Sequence, residues 1–251
     1  MLRRCVRHIL EELPETLDET YERSLQGIDK EKRQYAYRLF QCLVVSIRPL
    51  RVEELAEVFA IQPNMETIAG FDASWRPENA EESVPSACST FVSIIDADGS
   101  RVVQFSHFSV KEFLTSSHTA NSELASYYHI LPQPAHVSLA RICLSMLLQL
   151  DNRIDELSID DYPLSSYAAK YWVTHAQFEN VLTIIHEGME HLFDSNKPHF
   201  AVWIWLYDMD DPEEYNNFFH THPKQPDAVP LYYAALCGFY DLAKSLVVKH
   251  L

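Results

Sequence analysis

The chain has 251 residues, 47% of them hydrophobic, enough to bury one large core or two smaller ones. Its net charge of −16 argues against a nucleic-acid partner, which demands basic side chains that displace counterions. Its five glycines (Gly27, Gly70, Gly99, Gly188, Gly238) stand singly, and this excludes a Walker A loop, a dinucleotide GxGxxG and a hydrolase GxSxG, all of which need clustered glycines.

In chain order, residues 2–13 read as an amphipathic helix on Leu2, Val6, Ile9, Leu10 and Leu13, ended by Pro14. A second helix follows with Leu17, Tyr21, Leu25 and Ile28 in phase. Residues 31–47 make a third, through Tyr35, Leu39, Phe40, Leu43 and Val44. Ile47 to Leu50 is a short extended turn, and 52–61 is a helix with Leu55, Val58 and Phe59 inward. Residues 62–82 are polar and contain proline, hence loop, and Ser83 or Pro85 starts a helix toward Phe91. FVSIID and RVVQFSH then flank Ala97-Asp98-Gly99-Ser100, a hairpin signal. Helix returns at 109–116, with Phe108, Phe113 and Leu114 inward. Helix, short strand, helix, helix, hairpin is the order of a winged helix. Beyond it the pattern is helical, at 135–150, 163–177, 179–193 and 199–207. The AVWIWLYD run (201–208) reads as a buried helix rather than a ligand box.

The final stretch, PLYYAALCGFYDLAKSLVVKHL (230–251), reads as two short helices broken at Gly238. Leu231, Ala234, Leu242, Leu246 and Val247 line their inner side. It resembles the opening of an ankyrin repeat, with Val229 where Thr is usual and Tyr232 where His is usual. A single repeat cannot bury its own apolar face, so the chain reads as a piece of a longer protein, with Leu231, Leu242, Leu246 and Val247 as its expected interaction residues and the outer side left for the next repeat.

The candidate chemistry is sparse. Cys5, Cys42, Cys88, Cys143 and Cys237 lie far apart without a CxxC pair, as buried thiols of a reducing compartment do. The N-terminus lacks the apolar core of a signal peptide, and no segment reaches the ~18 apolar residues of a membrane span. The expected setting is cytoplasmic, with no membrane partner. The His107–Glu112 stretch invites a hydrolase reading together with the acidic run Asp208–Glu214, but a helix junction around His107 explains it. The acidic run lacks the central glycine and ligand spacing of a calcium loop. His220 and His222 have no cysteines spaced to complete a zinc site. No metal or cofactor is expected. A DNA-binding reading of the winged helix fails on its third helix, which follows Glu78, Glu81 and Glu82 and has no Lys or Arg before Gly99.

LPETLDETYERSL (13–25), RLFQCLVVSIRPLRVEELAEVFAI (38–61), VVQFSHFSVKEFL (102–114) and YAAKYWVTHA (167–176) together resemble the region after the nucleotide-binding domain of fungal NACHT–ankyrin proteins, of the signal-transduction NTPase class. This segment carries the GPI inositol-deacylase-type winged helix. The resemblance implies a mainly α chain of four parts: a helical lead-in at 1–30, a winged helix with a small hairpin wing at 31–118, a helical linker at 119–228, and a truncated first ankyrin repeat at 229–251. It implies a non-enzymatic regulatory and interaction role in signal transduction. The partners it implies are a nucleotide-binding domain, further ankyrin repeats and an unidentified protein. It also implies that His107 reaches a nucleotide phosphate held by the neighbouring domain.

Overall fold

The computed structural model describes residues 16–61, 70–210, 222–226 and 228–249. The helix expected at 2–13 lies outside them, as do residues 62–69, 211–214 and His220.

Helix α1 (Leu17–Gln26) starts where the Thr16 hydroxyl accepts the Glu19 N–H at 3.2 Å. Leu25 and Ile28 are buried, while Tyr21 lies between the rings of Phe91 (5.8 Å) and Phe113 (5.2 Å). Helix α2 (Arg33–Val45) runs through the centre and is buried on most sides, at Ala36, Leu39, Phe40, Cys42, Val44 and Val45. Strand β1 (Leu50–Arg51) leads into α3 (Val52–Ala56), and a 3-10 turn, Glu57–Ala60, continues it. The segment 52–61 is therefore only half α-helix.

Helix α4 (Ala80–Cys88) begins three residues before Ser83. The Asn79 side chain accepts the Glu82 N–H at 3.2 Å and caps it, and Pro85 sits inside the helix rather than at its start. Strands β2 (Val92–Ala97) and β3 (Ser100–Phe105) form the wing, in register from Val92↔Phe105 to Ala97↔Ser100. Asp98 (φ 49°) and Gly99 (φ 77°) make the turn, both left-handed, which suits the twist of a two-residue hairpin. Leu50 pairs with Val103 and Arg51 with Val102, completing a three-stranded antiparallel sheet of order β1-β3-β2. The expected winged helix is present.

Helix α5 (Phe108–Thr115) follows, then α6 (Ser117–Asn121), for which no periodic signal was legible. Val110, Phe113 and Leu114 point inward, but Phe108, expected in the core, is 70% exposed. It is the first residue of the helix and lies against the His107 ring at 4.3 Å. Helix α7 (Pro132–Leu147) opens on a proline, where a missing N–H costs nothing. Helix α8 (Ser165–Ala176) packs along α7 and buries Tyr167, Ala168, Trp172 and Ala176. The segment 179–193 is two helices, α9 (Val181–Ile184) and α10 (His186–Leu192), interrupted at Ile185. Helix α11 (His199–Leu206) carries the buried Trp203, whose indole N–H donates to the Ala169 carbonyl at 3.0 Å. Helices α12 (Pro230–Leu236) and α13 (Tyr240–Lys249) close the described chain.

One buried apolar cluster runs from Leu25 to Leu246, crossing residue 118 without a break. Two polar assemblies fasten the winged helix to the helices behind it. Glu54 is fully buried and receives both Arg48 terminal nitrogens at 2.7 Å, the Arg51 N–H at 2.8 Å and Arg51 Nε at 3.1 Å. Burial alone would push its carboxyl up, yet the Arg48 fork and the Arg51 N–H hold it below the usual range. Arg51 also donates to the Pro163 carbonyl at 3.2 Å, and Arg48 lies over the Tyr167 ring at 5.1 Å. In the second assembly the Ile47 N–H donates to the Tyr167 hydroxyl (3.2 Å), which contacts His175 Nε2 (2.9 Å). His175 Nδ1 in turn faces His136 Nδ1 at 3.0 Å. The Tyr167 hydroxyl and the two imidazole rings thus form one continuous chain behind Ile47.

Candidate interaction surface

The α12–α13 hairpin is two-faced. Helix α12 begins at Pro230 behind Val229, which supplies no side-chain cap. It ends in a Schellman motif: Gly238 is left-handed (φ 72°), its N–H donates to the Ala235 carbonyl (3.0 Å), and the Phe239 N–H donates to the Ala234 carbonyl (2.9 Å). This turn folds Phe239 beneath the hairpin.

The inner face is firmly seated. Phe239 meets Trp172 at 5.4 Å and Phe193 at 6.3 Å, while Tyr233 meets Phe200 at 5.6 Å and Trp203 at 6.1 Å. Leu242 and Leu246 are buried and Leu231 packs partly against the core. Polar ties reinforce the seat. Gln177 donates to the Cys237 carbonyl (2.9 Å), and the Ser245 hydroxyl donates to Glu190 (2.8 Å). Tyr233 donates to Asp208 and Tyr232 to Asp210, each at 2.8 Å.

The outer face is apolar and uncovered. Tyr232 and Leu236 lie at helical spacing on α12, with the exposed Val229 just before it, and Tyr240, Val247 and Val248 lie along α13; Tyr240 is 77% exposed and Val248 67%. Val247, expected on the inner side, is 43% exposed, so of the four expected interaction residues it alone belongs to this outer stripe. At helical spacing Val247 lies seven residues from the exposed Tyr240, whereas the inner face is set by Phe239, Leu242 and Leu246. A glycine break alone does not place Phe239, the residue after Gly238; the Schellman motif turns it inward.

His107 caps α5: its Nδ1 accepts the Ser109 N–H (3.3 Å) and lies 2.5 Å from the Ser109 hydroxyl, which also meets the Tyr21 hydroxyl at 2.7 Å. The acidic run is elsewhere engaged. Among the described residues Asp208 and Asp210 hold the two tyrosine hydroxyls of α12, and no hydrogen bond or ion pair joins them to His107. No group of three His, Cys, Asp or Glu is placed to hold a metal among the described residues, and none of their helices is long and apolar enough to cross a membrane. Cys42, Cys88, Cys143 and Cys237 are buried free thiols, and burial pushes Cys42 and Cys237 up to about 12. The third helix of the winged fold exposes Glu81 and Glu82, and Glu81 pairs with Arg101 of the wing.

The three-stranded wing sheet on three short helices makes residues 33–105 a winged helix. Residues 21–127 match the family model of the GPI inositol-deacylase winged helix domain. Across 247 residues the chain is 28% identical to azaphilone pigments biosynthesis cluster protein L of Monascus ruber, an alignment covering 95% of this chain and 51% of that protein. The chain thus spans about half the length of the curated relative it matches. No solved structure matches it.

Proposed function

We propose that this chain is a non-enzymatic regulatory and interaction module of a longer signalling protein, and that the outer face of the α12–α13 hairpin is its docking surface. The observation that carries the reading is the contrast within one hairpin. Its inner face is fixed by aromatic packing and side-chain hydrogen bonds, while its outer face holds an exposed apolar stripe in which the Tyr232 hydroxyl is tied to Asp210. A helical pair of ankyrin type is stable as part of a stack, and the stripe from Val229 to Val248 is where the next pair would lie. The greater length of the Monascus relative is consistent with more chain around this segment. In this reading a NACHT-type nucleotide-binding domain and further repeats are the partners in the same chain. His107 faces the former, and the setting is cytoplasmic.

The reading is tested in a protein carrying this chain followed by ankyrin-type repeats. The parent should unfold in a single transition. Tyr240→Asp with Val248→Asp should split it into two while leaving the isolated chain's own midpoint unchanged. Identical single transitions in parent and variant would contradict the docking surface.

A further inference from the structure

A cleft of about 510 Å³ opens between α2 and α7, and the α12–α13 hairpin contributes no residue to it. The volume suits a small organic molecule. Its apolar lining comes from three helices and a turn: Tyr37 of α2, Pro134 and Val137 of α7, Ile184 of α9, and Tyr127. Tyr127 and Ile184 are left 54% and 44% exposed. The Tyr127 ring stands 5.6 Å from that of Tyr37, inclined to it by 48°. The Tyr37 hydroxyl donates to the His129 carbonyl at 3.3 Å, so this residue offers the cleft its ring. An exposed ring beside a half-buried one forms a platform on which a flat ligand gains contact area.

The polar side chains select the charge of that ligand. None of the lining residues is Asp or Glu, although the chain holds 36 of them, so a cation finds no counter-charge here. Nor is an anion well served. The Nε and Nη2 of Arg38 are buried behind the wall, and Arg141 is engaged at the Ile184 carbonyl (3.5 Å). Gln41 is buried, and the Gln133 amide donates to the Glu179 carbonyl at 3.2 Å. This leaves Gln34, exposed on α2, as the donor within reach, and a neutral amide N–H suits a neutral oxygen.

We propose that the α2–α7 cleft binds a neutral, flat aromatic carbonyl compound, its rings against Tyr127, Tyr37 and Ile184 and its carbonyl oxygen accepting from the Gln34 amide. This site is independent of the hairpin surface, so failure of one leaves the other standing.

Equilibrium dialysis of the whole chain against four naphthalenes of similar size tests it: 2-acetylnaphthalene, 2-ethylnaphthalene, 2-naphthoate and 2-naphthylmethylammonium. The ketone should bind saturably, and about fivefold or more tighter than each of the others. Tyr127→Ala should weaken the ketone about fivefold, through loss of the ring platform. Gln34→Ala should bring the ketone to within about twofold of the hydrocarbon, whose own affinity stays unchanged. Both variants replace exposed side chains and leave the fold intact, so an unchanged urea midpoint is expected alongside. Absence of saturable binding by the ketone, equal binding by the hydrocarbon, the acid or the ammonium ion, a ketone preference that survives Gln34→Ala, or unchanged affinity in Tyr127→Ala would each overturn the proposal.

Discussion

His175 sits uncharged in the interior, and its neighbours dictate this. Burial, then the nearby His136, push its pKa down to about 3. Above an ordinary histidine pKa of about 6.5 neither folded nor unfolded chain binds this proton. Below it only the unfolded chain does, so stability falls as pH drops from about 6.5 toward about 3. Urea unfolding at about pH 7 and about pH 5 should show a loss of about 2 kcal/mol assignable to this residue, since each pH unit below 6.5 contributes about 1.4 kcal/mol. In His175→Gln that part of the pH dependence should vanish. Equal pH dependence in both chains would mean that His175 is not held neutral. None of this was legible in the sequence, where residue 175 reads only as one more position on a helical stripe; the Ile47–Tyr167–His175–His136 chain joins residues up to 128 positions apart.

At the scale of elements, the periodic stretches were legible because each buries a continuous stripe. The helices at 33–45, 165–176 and 199–206 and the Asp98-Gly99 hairpin appear where the pattern places them. Errors gather where a terminus or a turn outweighs periodicity. Phe108 follows the inward spacing of Phe113 and Leu114 poorly and, as a first-turn residue, projects away from the core. Helix α4 starts at Ala80 rather than at Ser83 or Pro85 because the Asn79 side chain caps it there, and Pro85 is held inside the helix. Helix α6 is too short to display a period at all. The C-terminal hairpin gives a quantitative contrast between its faces. Phe239→Ala should cost about 3–5 kcal/mol in urea unfolding, since it empties a site bounded by Trp172 and Phe193. Val248→Ala, on the outer stripe, should stay within about 0.5 kcal/mol. Comparable costs at both positions would mean that the hairpin is not two-faced.

For the molecule as a whole, the winged helix is embedded rather than displayed. Its central helix α2 packs on α7, its Arg48–Glu54–Arg51 cluster reaches the Pro163 carbonyl, and its third helix offers glutamates where a DNA reader needs cations. Calorimetry with ATP and GTP should detect no binding to the isolated chain, and a gel shift at low salt should show no complex with duplex DNA. Micromolar nucleotide affinity, or a clear shift at low micromolar protein, would count against a regulatory scaffold. The winged helix could be read from the order of its elements. The outer face of the hairpin could be read only in part, because its residues are apolar like those of the core, and only burial tells the two sets apart.

Hydrogen-exchange mass spectrometry of residues 240–249 tests the central claim most directly. Helix α13 has 10 residues, too few for stability in isolation, and one side of it is uncovered. In the chain alone its amides should exchange far faster than those of 135–176, and ankyrin-type repeats appended after residue 251 should slow them at least tenfold. Protection of 240–249 equal to that of 135–176 in the isolated chain, and unchanged by the added repeats, would show that the hairpin is a self-sufficient cap and that its outer face docks nothing.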